Sequence, residues 1–274
     1  NDSMNIEEKN GIQYVTFAQF KKYPELVAAV STRAGGVSDG AFSSLNMSFS
    51  TGDMPERVIE NRRRYFAVLR LDPKDSVGCN QVHGVNIVRV GKRDCGKGAS
   101  SRETAISACD GLVTNEKGVA LTMNFADCTP LLFFDPVRYA IGLAHGGWRG
   151  TAGNIAGRTV GEMHTAFGSE PADIIAAVGP AIGPDRFEVG AEVIAAFTEL
   201  FGSAEVRELY RPIGEGKYLY DLWETNRRLM LRAGLKEEHI ECTRICTHTH
   251  ADIFFSYRRE KGKTGRHMAV MALR

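Results

Sequence analysis

The chain has 274 residues, of which 43% are hydrophobic, enough to build one large α/β domain or two smaller ones. Its 34 Lys and Arg residues nearly balance 33 Asp and Glu residues, for a formal net charge of +1. This balance excludes a strong overall field toward nucleic acid or an anionic membrane, so we expect neither as a partner. No apolar run reaches the roughly 18 residues of a membrane-spanning helix.

The N-terminus and the cysteines bear on the compartment. The first ten residues, NDSMNIEEKN, are polar and lack the apolar region of a signal peptide, and we expect Met4 to be the natural start. The six cysteines contain no CxxC pair and are too sparse for a disulfide scaffold. The sequence therefore predicts a reduced, cytoplasmic protein.

Strands and helices alternate along the chain. Short apolar runs, several of them apolar on both faces, predict strands of a sheet that is covered on both sides. In chain order these runs are VAAVSTR (27–33), VNIVRV (85–90), VALTMNF (119–125), PLLFFD (130–135), AIGLAH (140–145), DIIAAVG (173–179) and HMAVMAL (267–273). Helical patterns occupy 56–71, 151–167, 189–201 and 219–234. This mixture predicts an α/β or α+β sandwich.

Three side chains carry the chemical signal. His83 lies in NQVHG, Cys128 in ADCTP and His145 in LAHGGWRGT. Each alone could be a surface histidine or a small buried cysteine, but two imidazoles and a thiolate together suit a divalent metal such as zinc, with one position open. Cys128 and His145 are 145 − 128 = 17 residues apart, each at the C-terminal end of its apparent strand. Either a hairpin-like return or adjacent strands would bring these ends together.

Several segments carry a family resemblance. NQVHG, DGLVT, ADCTPLLFFDP, GLAHGGWRGT, VGPAIGPDRFEVG and FFSYRREKGKTGR follow one another in this order, after STRAGGVSDGAFSSLNMSF. They resemble the serial motifs of the multicopper polyphenol oxidoreductase (laccase-domain) family, also called the purine nucleoside phosphorylase or peptidoglycan editing factor family. The resemblance extends from about residue 28 to residue 272.

The resemblance implies a fold and an activity. It implies a single-domain α/β sandwich of mixed sheet with flanking helices, and we assign this domain to 28–274, after a tail and first strand over 1–27. It implies zinc bound by His83, Cys128 and His145. The implied reactions are phosphorolysis of adenosine, inosine, guanosine and methylthioadenosine, and deamination of adenosine. Older assignments in the family give copper and laccase activity.

The implied chemistry suggests further site residues. Asp127 is the carboxylate next to Cys128 and could move a proton, although neighbours on a strand point to opposite faces. Guanidinium groups bind oxyanions through paired donors, so Arg33 and Arg149 are candidates for phosphate binding, with surface arginines as the alternative. Asn46 and Gln81 are candidates for hydrogen bonds to the ribose or the base, and Asn46 is equally plausible as a turn residue.

A second group of metal-binding residue types lies in CTHTHADIFFSYRRE. Cys246, His248 and His250 alternate, so a strand there would place all three on one face. They are a candidate second metal site, or an additional source of ligands for the first.

Three other functions compete with the purine enzyme. The first is a copper oxidase that acts on phenols. A copper electron-transfer site has two histidines, a cysteine and a weak methionine ligand, for which Met123 is available. The chain has seven histidines, however, which are few for a laccase. Cys128 could be a nucleophile with His145 as its base in a hydrolase with a peptidoglycan-editing role. A metal-stabilised interaction module would have no activity.

Overall fold

The computed structural model describes residues 4–274, and Asn1–Ser3 lie outside the described residues. The strands are β1 (Ile6–Lys9), β2 (Ile12–Val15), β3 (Leu26–Ser31), β4 (Ser76–Val77), β5 (Ile87–Arg89), β6 (Gly111–Thr114), β7 (Ala120–Phe125), β8 (Thr129–Asp135), β9 (Ala140–Gly146), β10 (Ile175–Val178), β11 (Glu188–Gly190), β12 (Tyr210–Gly214), β13 (Lys217–Tyr220), β14 (Ile240–Cys242) and β15 (His267–Leu273). The α-helices are α1 (Pro55–Val68), α2 (Trp148–Ala152), α3 (Ile155–Phe167), α4 (Ala191–Phe201), α5 (Ser203–Val206) and α6 (Leu222–Arg232).

Two six-stranded mixed sheets form the middle of the molecule. The first has the order β1-β2-β3-β15-β7-β4 and the second the order β14-β10-β8-β9-β6-β5, while β11-β13-β12 make a small antiparallel sheet. The two large sheets share one apolar core, which includes Met123, Phe125, Leu132, Leu143 and Met271. The predicted α/β sandwich of mixed sheet with flanking helices is confirmed, and its middle contains two sheets.

Helices cover the outer faces of both large sheets. Tyr65 and Phe66 of α1 pack on the first sheet against Met268 and Val270, and α3 and α6 pack on the second sheet. Along β8, alternate side chains therefore enter different cores: Leu131 and Phe133 face the helices, and Leu132 and Phe134 face the other sheet. Burial on both sides explains why these strands are continuous apolar runs.

All seven predicted strands are present, and four predicted helices are found with changed ends. The segment 151–167 is divided between α2 and α3 at Asn154, whose φ of 61° is left-handed and which caps α3 by accepting from Gly157 N–H. The segment 189–201 begins in β11. Most of the strands not predicted, such as β4 and β14, are too short to show a period. In the first sheet β2 pairs with β3, the strand that contains the 27/28 position, and the division of the chain at that position stays a prediction. None of the helices over residues 4–274 is long and apolar enough to cross a membrane.

Candidate metal centre and adjoining cavity

His83, Cys128 and His145 meet at one end of the second sheet. One ligand atom from each lies within 4.8 Å of the others, and within residues 4–274 this is the one group of His, Cys and carboxylate side chains so arranged. Antiparallel pairing of β8 and β9 places Thr129 opposite Gly146, and therefore brings Cys128 beside His145. The start of β8 thus lies beside the end of β9, so the protein fold itself brings these two residues of the triad together.

The His145 side chain continues an apolar row on β9. Ile141 and Leu143 point toward the first sheet, and His145 follows with the same period of two. The imidazole is 3% exposed, and its ring centre lies 5.5 Å from that of Phe125 and 4.9 Å from that of His83. The triad thus sits at the rim of the layer between the sheets.

Asp110 holds both histidines in place. Its carboxylate is fully buried and lies 2.8 Å from Nδ1 of His145. It also accepts the backbone N–H groups of Val82, His83 and Gly84 at 3.0–3.1 Å, in a loop where His83 has a left-handed φ of 62°. The bond to Nδ1 leaves Nε2 of His145 available for a metal. The motif DGLVT contributed to the family resemblance, but the sequence analysis gave Asp110 no role. The position of an aspartate directly before a buried strand could have indicated one.

The triad favours a thiolate at neutral pH. Burial opposes ionisation of Cys128, but the neighbouring His145 and His83 outweigh it and lower the pKa of the thiol to about 6. Burial likewise opposes protonation of His145, yet the Cys128 thiolate and Asp110 raise its pKa to about 9. Two imidazoles and a thiolate are a donor set that zinc binds with one position left open. The residues present therefore fit such a metal.

Gly147 lies against all three ligands. A Cβ at this position would be 3.1 Å from Nδ1 of His83 and 3.3 Å from Sγ of Cys128, with Cε1 of His145 at 3.7 Å. The absence of a side chain leaves space beside the thiolate and the imidazoles. The closest neighbours of Gly147 are thus the three candidate ligands.

A cavity of about 520 Å³ opens on the triad. Its apolar wall is formed by Phe125, Ile182, Phe187 and Tyr257, and its polar wall includes guanidinium groups. These are Arg102, Arg258 and Arg266, none of which forms a side-chain ion pair within the described chain. A ligand with a flat apolar part and an anionic part would match this lining.

Gln81 and Asn46 are placed as structural clamps. Gln81 lines the cavity, and its amide bonds the backbone of Asn124 twice, at 2.8 and 2.9 Å. Asn46 is fully buried outside the cavity, where its Oδ1 accepts from the N–H groups of Ser48 and Arg266 at 3.2 and 3.0 Å. Asn46 therefore connects two parts of the cavity lining, the one at Ser48 and the one at Arg266.

Asp127 lines the cavity beside Cys128. Its carboxylate accepts from Thr247 Oγ1, Ser256 Oγ and the backbone N–H of Arg258 at 2.7–2.9 Å. Burial raises the pKa of this carboxyl, although the three donors partly oppose the rise. Asp127 therefore anchors the 256–258 loop, and its role in proton transfer stays a prediction.

The two arginines predicted to bind phosphate lie outside the cavity. Arg33 donates from Nε to Ser43 O and from Nη1 to Ala251 O, at 3.0 and 2.9 Å, and so ties two loops together. Arg149 is exposed, with its guanidinium 4.5 Å from the ring centre of Trp148. The arginines that line the cavity are Arg102, Arg258 and Arg266, and they are the better candidates for binding an anion.

The segment with Cys246, His248 and His250 is not a strand, and the expectation of a common face is corrected. Turns follow Cys246, whose Sγ accepts from Gly183 N–H at 3.3 Å. The guanidinium of Arg259 binds the carbonyl of His248 at 2.9 Å and holds the chain in this turn. In the described part of the chain, these three residues contribute to no group of clustered ligand atoms.

Comparison with known proteins agrees with these observations. The family model described as multi-copper polyphenol oxidoreductase laccase matches residues 27–274. The chain belongs to this family. It is 42% identical over 248 residues to purine nucleoside phosphorylase YlmD of Geobacillus stearothermophilus, covering 90% of each chain. It is 34% identical over 249 residues to adenosine deaminase RL5 of an unknown prokaryotic organism, covering 90% of this chain and 93% of that one.

Solved structures resemble the whole fold. The crystal structure of YlmD from Geobacillus stearothermophilus superposes with a TM-score of 0.92 at 39% identity, over 99% of each chain. The predicted family, fold class and enzymatic nature of the chain are thereby confirmed. The comparisons leave the identity of the metal and the substrate to be proposed.

Proposed function

We propose that this protein is a zinc-dependent purine nucleoside phosphorylase that also deaminates adenosine. The observation that carries the proposal is the His83–Cys128–His145 group at the wall of a cavity that is lined by aromatic side chains and by arginines without an ion pair in residues 4–274. The substrates proposed are adenosine, inosine, guanosine and methylthioadenosine, with phosphate. The names of the relatives, a purine nucleoside phosphorylase and an adenosine deaminase, support both reactions.

The cavity suits a nucleoside. Its volume of about 520 Å³ is in the range of small-molecule sites, roughly 300–1,000 Å³. Phe125, Phe187 and Tyr257 provide faces and edges for a purine ring, and the arginines provide hydrogen-bond donors for the polar and anionic parts of the two substrates. Zinc, when held by His83, Cys128 and His145, would supply Lewis acidity on the side of the triad that faces the cavity.

Each of the two reactions breaks one bond, forms another and requires the transfer of a proton. In phosphorolysis a phosphate oxygen bonds to C1′ of the ribose, the C1′–N9 bond breaks, and the purine leaves with the electron pair and takes up a proton. In deamination water adds at C6 and ammonia leaves, giving inosine. Asp127 is our candidate for moving the proton, because it lies beside Cys128 in the cavity wall and burial raises the pKa of its carboxyl.

The test combines metal analysis with product analysis. We expect about one zinc ion per chain, inosine from adenosine without phosphate, and adenine with ribose 1-phosphate when phosphate is added. His83→Ala, Cys128→Ala and His145→Ala should each lose metal and turnover while circular dichroism shows an intact fold. His164→Ala, an exposed histidine on α3, is the control that keeps both. Full activity in any triad variant, or bound copper with phenol oxidation and untouched adenosine, would contradict the proposal.

One observation favours a second candidate, a metal-free Cys-His hydrolase. Asp110 bonds His145, and His145 faces Cys128, so the three residues form the chain of acid, base and nucleophile used in covalent catalysis. Such an enzyme would keep its activity after metal removal. Activity lost with a chelator and restored by zinc would reject this candidate.

A further inference from the structure

Arg62 is a buried cation that forms no ion pair with residues 4–274. It lies on α1 and is 7% exposed, and its guanidinium stands 4.4 Å from the ring centre of Phe49. Its protein partners are carbonyl oxygens, with Nε bonded to Met47 O at 2.8 Å and Nη1 to Gly98 O at 2.7 Å. Burial lowers its pKa to about 9, so the group stays charged at neutral pH. A buried charge without an anion is costly, and this one calls for an explanation.

A small side cavity lies against Arg62. Its volume is about 40 Å³, and it shares part of its lining with the larger cavity, including Ser48, Arg102 and Asn124. At roughly 10–15 Å³ for each water-sized atom, it has space for three or four oxygen atoms. Arg102 extends into the lining of both cavities and forms no side-chain hydrogen bond or ion pair with residues 4–274. Arg62 and Arg102 therefore both line one small space.

Two neutral side chains in the same lining have unused hydrogen-bonding capacity. The Asn124 Oδ1 atom is buried without a hydrogen-bond partner in the described chain, while Gln81 fixes the Asn124 backbone. Its carboxamide can turn either its oxygen or its NH2 toward a ligand. Ser48 is 5% exposed, and its Oγ accepts from Ser50 N–H, which leaves the hydroxyl hydrogen free to donate. Unsatisfied buried polar atoms in a cavity wall indicate a polar ligand.

We propose that this side cavity is the phosphate subsite, in which a phosphate ion lies between Arg62 and Arg102 and completes its hydrogen bonds with Ser48 and Asn124. The inference rests on the proposed function, because phosphate is there the second substrate. Because the side cavity shares Ser48, Arg102 and Asn124 with the lining of the larger cavity, the bound phosphate lies next to the space that we assign to the nucleoside. Arg258 and Arg266 line the larger cavity but not the side cavity, and we assign them to the nucleoside.

The test separates phosphate from nucleoside. Arg102→Gln should raise KM for phosphate about 10- to 100-fold, the cost of losing one charge-assisted contact, and should lower phosphate-free deamination by far less. Arg62→Lys keeps the charge but loses the planar fork, and should also raise KM for phosphate. Equilibrium dialysis of labelled phosphate against the zinc-loaded protein should show the same rise in Kd. Arg93→Gln, an exposed arginine of the same loop outside both cavities, is the control.

The outcomes distinguish failure of the proposed function from failure of the phosphate subsite. A wild-type protein without purine turnover would contradict the proposed function, while phosphate binding that Arg102→Gln weakens would still support the anion subsite. Wild-type turnover with an unchanged phosphate KM in Arg102→Gln would overturn the inference alone. So would a rise in phosphate KM confined to Arg258→Gln, or a loss of deamination as large as the loss of phosphorolysis.

Discussion

The Oδ2 atom of Asp110 lies 2.8 Å from Nδ1 of His145, and the same atom accepts the backbone N–H of His83 at 3.0 Å. A single buried oxygen thus sets the tautomer of one candidate ligand and the backbone position of another. Carboxylates that bond metal-binding histidines orient the ring and raise its basicity. Asp110 is therefore the positioning residue of the triad.

Replacing Asp110 by Asn should weaken metal binding without removing a ligand. The amide can donate to Nδ1 or accept from the loop, but it cannot keep all four contacts of the carboxylate. We expect zinc affinity to fall about 10- to 100-fold, measured by competition with a chromophoric chelator. Asp135→Asn is the matched control, a buried aspartate that accepts from Val137 N–H at the other end of β8. Equal zinc affinity in the two variants would contradict the positioning role.

Gly147→Ala should disturb the triad while leaving the backbone unstrained. The φ of Gly147 is −70°, which alanine accepts, but the new methyl group would lie 3.1 Å from Nδ1 of His83. We expect zinc content to fall and unfolding of the metal-free protein to change little. Gly161→Ala in α3 has no heavy atom within 4 Å of its new Cβ and should stabilise the helix by up to about 1 kcal/mol. Undiminished zinc in Gly147→Ala would show that the ligands can move aside.

The stability of the protein should decrease in acid because of His267. This residue is 1% exposed and its Nε2 accepts from Phe255 N–H at 2.8 Å. Burial, with Arg33 and Arg266 nearby, lowers its pKa to about 3. The unfolded chain takes up a proton below about pH 6.5 and the folded chain does not, so the free energy of unfolding falls as the pH drops from there toward 3.

The contribution of His267 can be isolated by urea unfolding of the metal-free protein at pH 7 and pH 5. Between these values the histidine should account for about 2 kcal/mol of lost stability, from 1.36 kcal/mol for each pH unit below its unfolded pKa. His267→Gln should be less stable than the wild type at pH 7 but should lose correspondingly less on acidification. His164→Gln, at an exposed histidine, should follow the wild type. Parallel pH curves for the wild type and His267→Gln would reject this account.

Asn46→Ala tests whether Asn46 positions the cavity walls. Its amide bonds Ser48 and the Arg266 backbone, both in the cavity lining. We expect a loss of about 1–3 kcal/mol in the free energy of unfolding and a higher KM, with zinc content unchanged. Asn226→Ala, an equally buried asparagine on α6 bonded to Leu222 O, should lose stability but keep its KM. Unaltered KM values in Asn46→Ala would remove it from the site.

The sequence predicted those features that depend on local pattern. Strands buried on both faces show as apolar runs, and β7, β8 and β9 were found for that reason. The triad was predicted because His83, Cys128 and His145 combine residue chemistry with motif context. Asp110 was given no role, because its role depends on contacts with His83 and His145, which lie 27 and 35 positions away along the chain.

The arginines show most clearly what local pattern leaves out. Arg62, Arg63 and Arg64 are consecutive and look alike in the sequence, yet only the first is buried, because the period of α1 turns it inward. Arg149 adjoins the His145 motif but points to solvent beside Trp148. The closeness of Arg149 to His145 in the sequence led to the prediction that Arg149 binds phosphate. Nearness in space favours Arg102, which lies in a glycine-rich loop with no periodic pattern.

The place of β15 has a consequence for incomplete chains. This strand pairs with β3 on one side and with β7 on the other, so it joins two parts of the first sheet that are far apart in sequence. A chain interrupted before residue 267 would leave β3 and β7 with facing edges of unpaired N–H and C=O groups, next to an uncovered apolar layer. Open edges of this kind are templates for association with other chains. Prematurely ended copies should therefore aggregate or be degraded, and should not persist as partly active enzyme.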